Sequence, residues 1–174
     1  MNDLKIPMIG FSAYSGTGKT TTLKQVIPLL KQKGLRVAVI KHAHHDFDLD
    51  IPGKDSYELR KAGSDQTIIC TTTRMAVITE FESPGDEPEL EKIVSGIDAD
   101  HIDLILVEGY KHIAFPKIEL HRKVLNKPYL YPDDPTIFAI ACDTRPTVET
   151  DITVVDINDI DAIADMIVKR IGDA

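Results

Sequence analysis

Seven consecutive residues near the start of the chain, Ser15, Gly16, Thr17, Gly18, Lys19, Thr20 and Thr21, combine the groups that polyphosphate chemistry needs. Gly16 and Gly18 let successive backbone N–H groups turn inward and make a concave anion site at the start of a helix. Lys19 supplies a cation for the β- and γ-phosphates, and the Thr20 hydroxyl is a ligand for Mg²⁺. The stretch closes the pattern GxxxxGK[ST], although Ala13 stands where the first glycine belongs. Alanine is the smallest replacement, and it fits provided its φ is negative. An apolar run, 7–13, leads in and an amphipathic run leads out, which is the strand–loop–helix order this motif requires.

Two further stretches supply chemistry. In "DLILVEGYKH" a carboxylate, Glu108, follows a buried-looking strand directly and precedes Gly109, where it can hold a metal-linked water beside the phosphates. In "KHAHHDFDLD" (41–50) the chain leaves another strand at the same carboxyl edge of the sheet. Asp46 or Asp48 there orients a water or Mg²⁺, with Lys41 and His42 near the phosphates or a second substrate. Alternatively, His42, His44, His45 and the aspartates hold a transition metal, or the loop is merely solvated. The catalytic candidates are therefore Lys19, Glu108 and Asp46, and the metal candidates Thr20, Glu108 and Asp46. Just behind, Lys54, Asp55, Ser56 and Arg60 surround a helix start that is a candidate second anion site.

These residues need a scaffold that brings loops to one edge. β-Branched runs at 7–13, 36–42, 67–70, 75–81, 102–108, 117–121, 136–141 and 152–156 predict strands. The continuous runs "LILV" and "FAIA" predict strands covered on both faces, as in a parallel sheet; "KIELH" alternates, as an edge or antiparallel strand does. Helices are predicted over 19–33, with Pro28 as a kink and Gly34 as the stop, over 55–62, with Asp55 or Ser56 as the cap, and over 159–171. A weaker helix is expected within 87–96. "TIICTTTRMAVITEF" predicts a hairpin, and "RKVLNKPYLYPDDP" a proline-punctuated loop. Asp103, before its strand, is expected to face solvent.

The 174 residues suit one domain with a hairpin excursion around 66–82. No apolar run approaches the length that spans a bilayer. Two cysteines, Cys70 and Cys142, are too far apart in sequence for a CxxC site, and a reducing cytoplasm fits them. The net charge of −8 argues against duplex nucleic acid as the partner. The charge is uneven: Lys19, Lys41, Lys54, Arg60, Lys61 and Arg74 lie in the first half, and "DINDID" (156–161) is acidic. A basic first half suits a small polyphosphate.

The motifs "SGTGKTT", "IKHAHHD", "PGKDSYELRKAG" and "DLILVEGYKH", in that order, resemble the MobB family of molybdopterin-guanine dinucleotide biosynthesis accessory proteins. The phosphate loop alone is unspecific; the histidine loop and "GKDSYELRKAG" are selective. The resemblance implies an α/β, P-loop NTPase-like fold, with a mostly parallel sheet flanked by helices and a β-hairpin used in dimerisation. It also implies GTP binding with weak GTPase activity, Mg²⁺ as cofactor, and action alongside the nucleotidyltransferase that joins GMP to molybdopterin. By carry-over Ser15 to Thr21 hold the phosphates, Thr20 and Glu108 the magnesium shell, and the histidine loop the region near the γ-phosphate or the pterin. Homodimers would form through extended β structure, with the hairpin at 67–81 and the strand at 117–121 as candidates. The chain has no [NT]KxD string for guanine; "NKPY" (126–129) lacks the acid, and Asp143, ending a strand, is the candidate for the base. The rival readings are a metallochaperone GTPase, suggested by the six histidines, and a small-molecule kinase, whose arginine-rich lid is not evident here.

Overall fold

The computed structural model describes residues 6–43, 47–81, 87–147 and 150–173. At its centre is β1 (Met8–Ser12), buried along its whole length. On one side it pairs with β5 (Leu104–Glu108), beyond which lies β2 (Val37–Lys41); on the other side follow β6 (Lys117–His121), β7 (Ile137–Cys142) and β8 (Thr153–Asp156). All five pairings are parallel, so every strand delivers its loop to one edge. The chain leaves β1 toward β2 and later returns to β6 on the other side. The phosphate loop therefore emerges at the place where the direction of winding reverses, the usual ligand crevice of an open α/β sheet.

Alternation along the strands sorts the side chains onto two faces. On one, Ile9 and Phe11 of β1, Leu104 and Leu106 of β5, and Ile118 and Leu120 of β6 pack under α1 (Lys19–Gln32) and α4 (Ile160–Gly172). The helical stripes that meet them are Leu23, Val26 and Leu30, and Ile163, Ala164 and Ile167. Pro28 sits inside α1, and Gly34 (φ 88°) follows its end; Asp159 caps α4 by accepting from the Ala162 N–H. On the opposite face Met8, Ile40, Ile105 and Val107 pack with Tyr110, Phe115 and the short α3 (Leu90–Val94).

The strand at 117–121 departs from expectation. Its alternating pattern suggests an edge, yet β6 is central, parallel and buried at all five positions. The polar residues are buried because the proline-punctuated loop after β6 supplies each with a partner, although His121 Nδ1 stays buried without one. Lys117 reaches Asp134 at 3.0 Å and Thr136 at 2.9 Å. The two oxygens of Glu119, wholly buried, accept from the N–H groups of Leu130 and Tyr131 at 2.8 and 2.9 Å. His121 contacts the Lys127 carbonyl at 2.9 Å and stacks on Tyr129 with centroids 3.9 Å apart. Burial pushes the Glu119 carboxyl above its ordinary pKa, and the two N–H donors oppose that shift. With a neighbour on each side, β6 has no free backbone edge with which to extend the sheet into a second copy. The loop itself contains one 3₁₀ turn, Lys123–Leu125.

Ala43–Glu89 pack as a separate, smaller unit. It contains α2 (Asp55–Lys61) and the antiparallel hairpin β3 (Gln66–Cys70) with β4 (Met75–Thr79). The N-cap of α2 is Lys54 in extended conformation, with no side-chain cap, and Asp55 is already helical. Asp103, in the larger unit, does not simply face solvent: both its oxygens bind Arg36, at 2.7 and 2.9 Å. Among the described residues no helix is long and apolar enough to cross a membrane.

Candidate functional site

The phosphate loop is shaped by its glycines and held by its threonine. Gly16 and Gly18 have φ of 82° and 99°, a region closed to most side chains, and Gly18 caps α1. The non-glycine residues with positive φ are Tyr110 and Asn126 among the described residues, so Ala13 has ordinary backbone and is fully buried in the core. Thr17, buried, donates its hydroxyl to the Tyr14 carbonyl at 2.8 Å and fixes the loop's turn. The Lys19 ammonium lies 3.2 Å from the Ala13 carbonyl, drawn back over the loop. Burial lowers its pKa, as do the neighbouring cations Lys111 and Lys41, while Glu108 pulls the other way. A cation in that state gains by receiving an anion.

Thr20 opens α1 and Glu108 ends β5, 88 positions apart, yet the hydroxyl lies 3.4 Å from both carboxylate oxygens. Lys41, ending β2, approaches the same carboxylate at 3.7 Å. The register explains the meeting, since Lys41 and Glu108 are opposite one another in the β2–β5 ladder. Beyond Glu108 the backbone turns sharply: Gly109 has φ 117° and Tyr110 φ 52°. A Cβ on Gly109 would stand 2.6 Å from that of His42, and the His42 N–H donates to the Glu108 carbonyl at 2.8 Å. Tyr110, in a conformation that costs a non-glycine residue about 1–3 kcal/mol, is held there by burial in the second core cluster. A hydroxyl and a carboxylate this close are hard oxygen donors, and they fit Mg²⁺.

A cavity of about 280 Å³ adjoins the loop. Gly16 to Gly18 form one wall with Thr21, Thr22 and Gln25 of α1; Arg122, Ile157, Asn158 and Ile160 form the other. Arg122 ties the walls together, donating from Nε to the Thr17 carbonyl at 3.2 Å and from an NH2 group to Asn158 Oδ1 at 3.3 Å. No motif singles out Arg122, Gln25 or Asn158. The available signal is positional: Arg122 directly follows β6 and Asn158 lies two past β8, both at the carboxyl edge.

Ser15 and Thr21 are exposed beside the loop. Asp143 accepts from the Lys123 N–H at 2.9 Å, supporting the 3₁₀ turn next to Arg122, and it does not line the cavity. His44, His45 and Asp46 lie outside the described residues; elsewhere no group of three or more His, Cys, Asp or Glu is arranged to hold a metal among the described residues. Lys54, Asp55 and Ser56 belong to the smaller unit. Arg60, in the same unit, is buried and engages Asp48 at 2.5 Å, Asp50 at 2.9 Å and Glu80 at 2.9 Å.

Residues 8–143 match the family model "Molybdopterin guanine dinucleotide synthesis protein B". The molybdopterin-guanine dinucleotide biosynthesis adapter protein of Escherichia coli K12 is 46% identical over 166 residues, 94% of this chain and 93% of that protein. The adapter protein of the same description from Haemophilus influenzae is 42% identical over 163 residues, covering 94% of this chain and 88% of that one. A crystal structure of molybdopterin-guanine biosynthesis protein B shares the fold, with a TM-score of 0.71 at 23% identity over 93% of this chain and 98% of that one. A MobB homologue from Bacillus stearothermophilus does likewise, with a TM-score of 0.70 at 18% identity over 96% and 99% of the two chains. The motifs at the carboxyl edge, the sheet that carries them and these relatives agree: the chain belongs to the MobB family.

Proposed function

We propose that this chain is a GTP-binding adapter in molybdopterin guanine dinucleotide synthesis, with slow Mg²⁺-dependent GTP hydrolysis. Its place in that synthesis rests on its family and on relatives named as adapters. The observation that carries nucleotide binding is the meeting of Lys19, Thr20 and Glu108 at one loop. Loop N–H groups and Lys19 hold the β- and γ-phosphates, and Thr20 with Glu108 would hold Mg²⁺, which neutralises charge developing on the phosphate oxygens. Glu108, shared between the Thr20 hydroxyl and the Lys41 ammonium, positions rather than deprotonates, which fits slow turnover. Lys41 and His42, at the same edge, face the pterin-bearing second substrate in this reading, and the nucleotidyltransferase that transfers GMP is the partner served.

Lys19→Ala is expected to abolish GTP binding with the circular-dichroism spectrum unchanged, and Glu108→Gln to keep binding while losing Mg²⁺-dependent hydrolysis. GTP affinity unaltered by Lys19→Ala would sink the reading. The chain would act as a homodimer through the β3–β4 hairpin, an isolated two-stranded ladder that leaves Ile68, Met75 and Val77 exposed. Light scattering should then report a dimer that Val77→Lys converts to monomer; a wild type that stays monomeric excludes it.

A further inference from the structure

The cavity beside the phosphate loop has the features of a base-reading pocket. The geometry points to Arg122 and Asn158 as the residues that select guanine, in an inference that rests on the nucleotide reading above. The volume, about 280 Å³, is at the small end of ligand sites, which run from about 300 Å³ upward. Its position follows from the loop: phosphates held by Gly16 to Thr20 leave the nucleoside to run past Thr21 and Gln25, between α1 and the turn from β8 into α4. The half-buried Ile160 gives the ring an apolar surface, Ile157 being almost wholly buried in the core, and polar groups stand at its edge.

Those polar groups have a fixed order. Asn158 donates from Nδ2 to Asp156 Oδ1 at 3.0 Å, and the same Asp156 oxygen takes the Asn158 N–H at 2.8 Å. That orients the amide so that its carbonyl oxygen faces Arg122, 3.3 Å from an NH2 group. A donor and an acceptor side by side match guanine, whose O6 accepts beside an N1–H that donates. Arginine also reaches O6 and N7 together, its preferred guanine contact. Adenine presents the reverse order, N6–H₂ beside an acceptor N1. With the phosphates anchored the ring cannot turn over to match, and the half-buried Arg122 donor would meet a donor. Asp143 then acts on this pocket indirectly, through the Lys123 N–H that holds the turn carrying Arg122.

The test is competition against a fluorescent GTP analogue by GTP, ATP and inorganic tripolyphosphate, which has phosphates but no base. Asn158→Ala, an exposed position whose loss spares the core, should weaken GTP by roughly 10- to 100-fold and leave tripolyphosphate and ATP within about twofold. Arg122→Lys, which keeps the charge and loses the planar fork, should erode the same discrimination. Equal weakening of GTP and tripolyphosphate in both variants would mean the residues only shape the loop, and would overturn the inference. Equal binding of GTP and ATP by the wild type would overturn it while leaving nucleotide binding standing; no binding of any of the three would remove both.

Discussion

The two units of the chain are held together by opposite means. The larger one buries a continuous apolar carpet on one sheet face, with Leu104, Leu106, Ile118 and Ala139 all fully inaccessible. The smaller one has a two-stranded ladder, a seven-residue helix and, at its centre, a guanidinium surrounded by three carboxylates. Among the described residues, large exposed apolar side chains outside the smaller unit are confined to Val39 and Val124, while Phe47, Leu49, Ile51, Leu59 and Phe81 stand exposed within it. The phosphate loop needs sub-ångström backbone placement and sits on the unit that burial makes rigid. The unit that shows its apolar side chains is the one suited to contact other molecules.

A paired experiment would break that comparison if it is wrong. Leu106→Ala, in the fully buried centre of β5, should lower global stability by about 3–4 kcal/mol in chemical denaturation, because the parallel sheet cannot close around the cavity. Arg60→Met should act locally instead: removing the cation leaves Asp48, Asp50 and Glu80 to repel one another across α2 and the end of the hairpin. Burial opposes the guanidinium charge, yet the carboxylates, Asp50 foremost, hold its pKa above the usual value. Amide exchange over 47–81 should quicken at least roughly tenfold in that variant, with protection in β1, β5 and β7 retained. A loss of protection spread evenly over both units would show that they unfold as one.

The same contrast decides what could be read from the sequence. The parallel sheet was legible because buried strands carry unbroken apolar runs, and the phosphate loop because its backbone demands glycines at Gly16 and Gly18. The pairing of Thr20 with Glu108 followed from strand ends sharing an edge. β6 misled because alternation reports polarity, whereas burial depends on whether polar groups find partners. Here Lys117, Glu119 and His121 find theirs in a loop that has no periodic signal. Arg122 and Asn158 were hidden for a related reason: single polar residues after strands become a site only once the strand order brings them together opposite the loop and α1. For Arg60 the sequence showed a helix beside a lysine, but not the carboxylates at 48, 50 and 80 that converge on it.

Arg36 and Asp103 provide the smallest effect and sharpen the comparison most finely. Like Arg60 this is an arginine on a carboxylate, but it lies at the surface of the larger unit, joining the start of β2 to the approach to β5. Hydrogen bonds from the Arg36 side chain and backbone hold the Asp103 carboxyl down to about 2. Because the folded value lies below the unfolded one, of about 3.9, the pair's contribution is fully present above pH 4 or so. It fades as pH falls through about 2 and is gone below that, where the carboxyl is protonated in both states. With Arg36 half exposed, solvent screens the pair, and the larger unit does not depend on it. Asp103→Asn should therefore give a small drop in urea midpoint at neutral pH that has mostly gone by about pH 2 and vanishes below it. A difference that persists undiminished at that pH would assign the effect to the lost backbone contact at Arg36 rather than to charge, and the larger unit would then share the smaller one's reliance on polar ties.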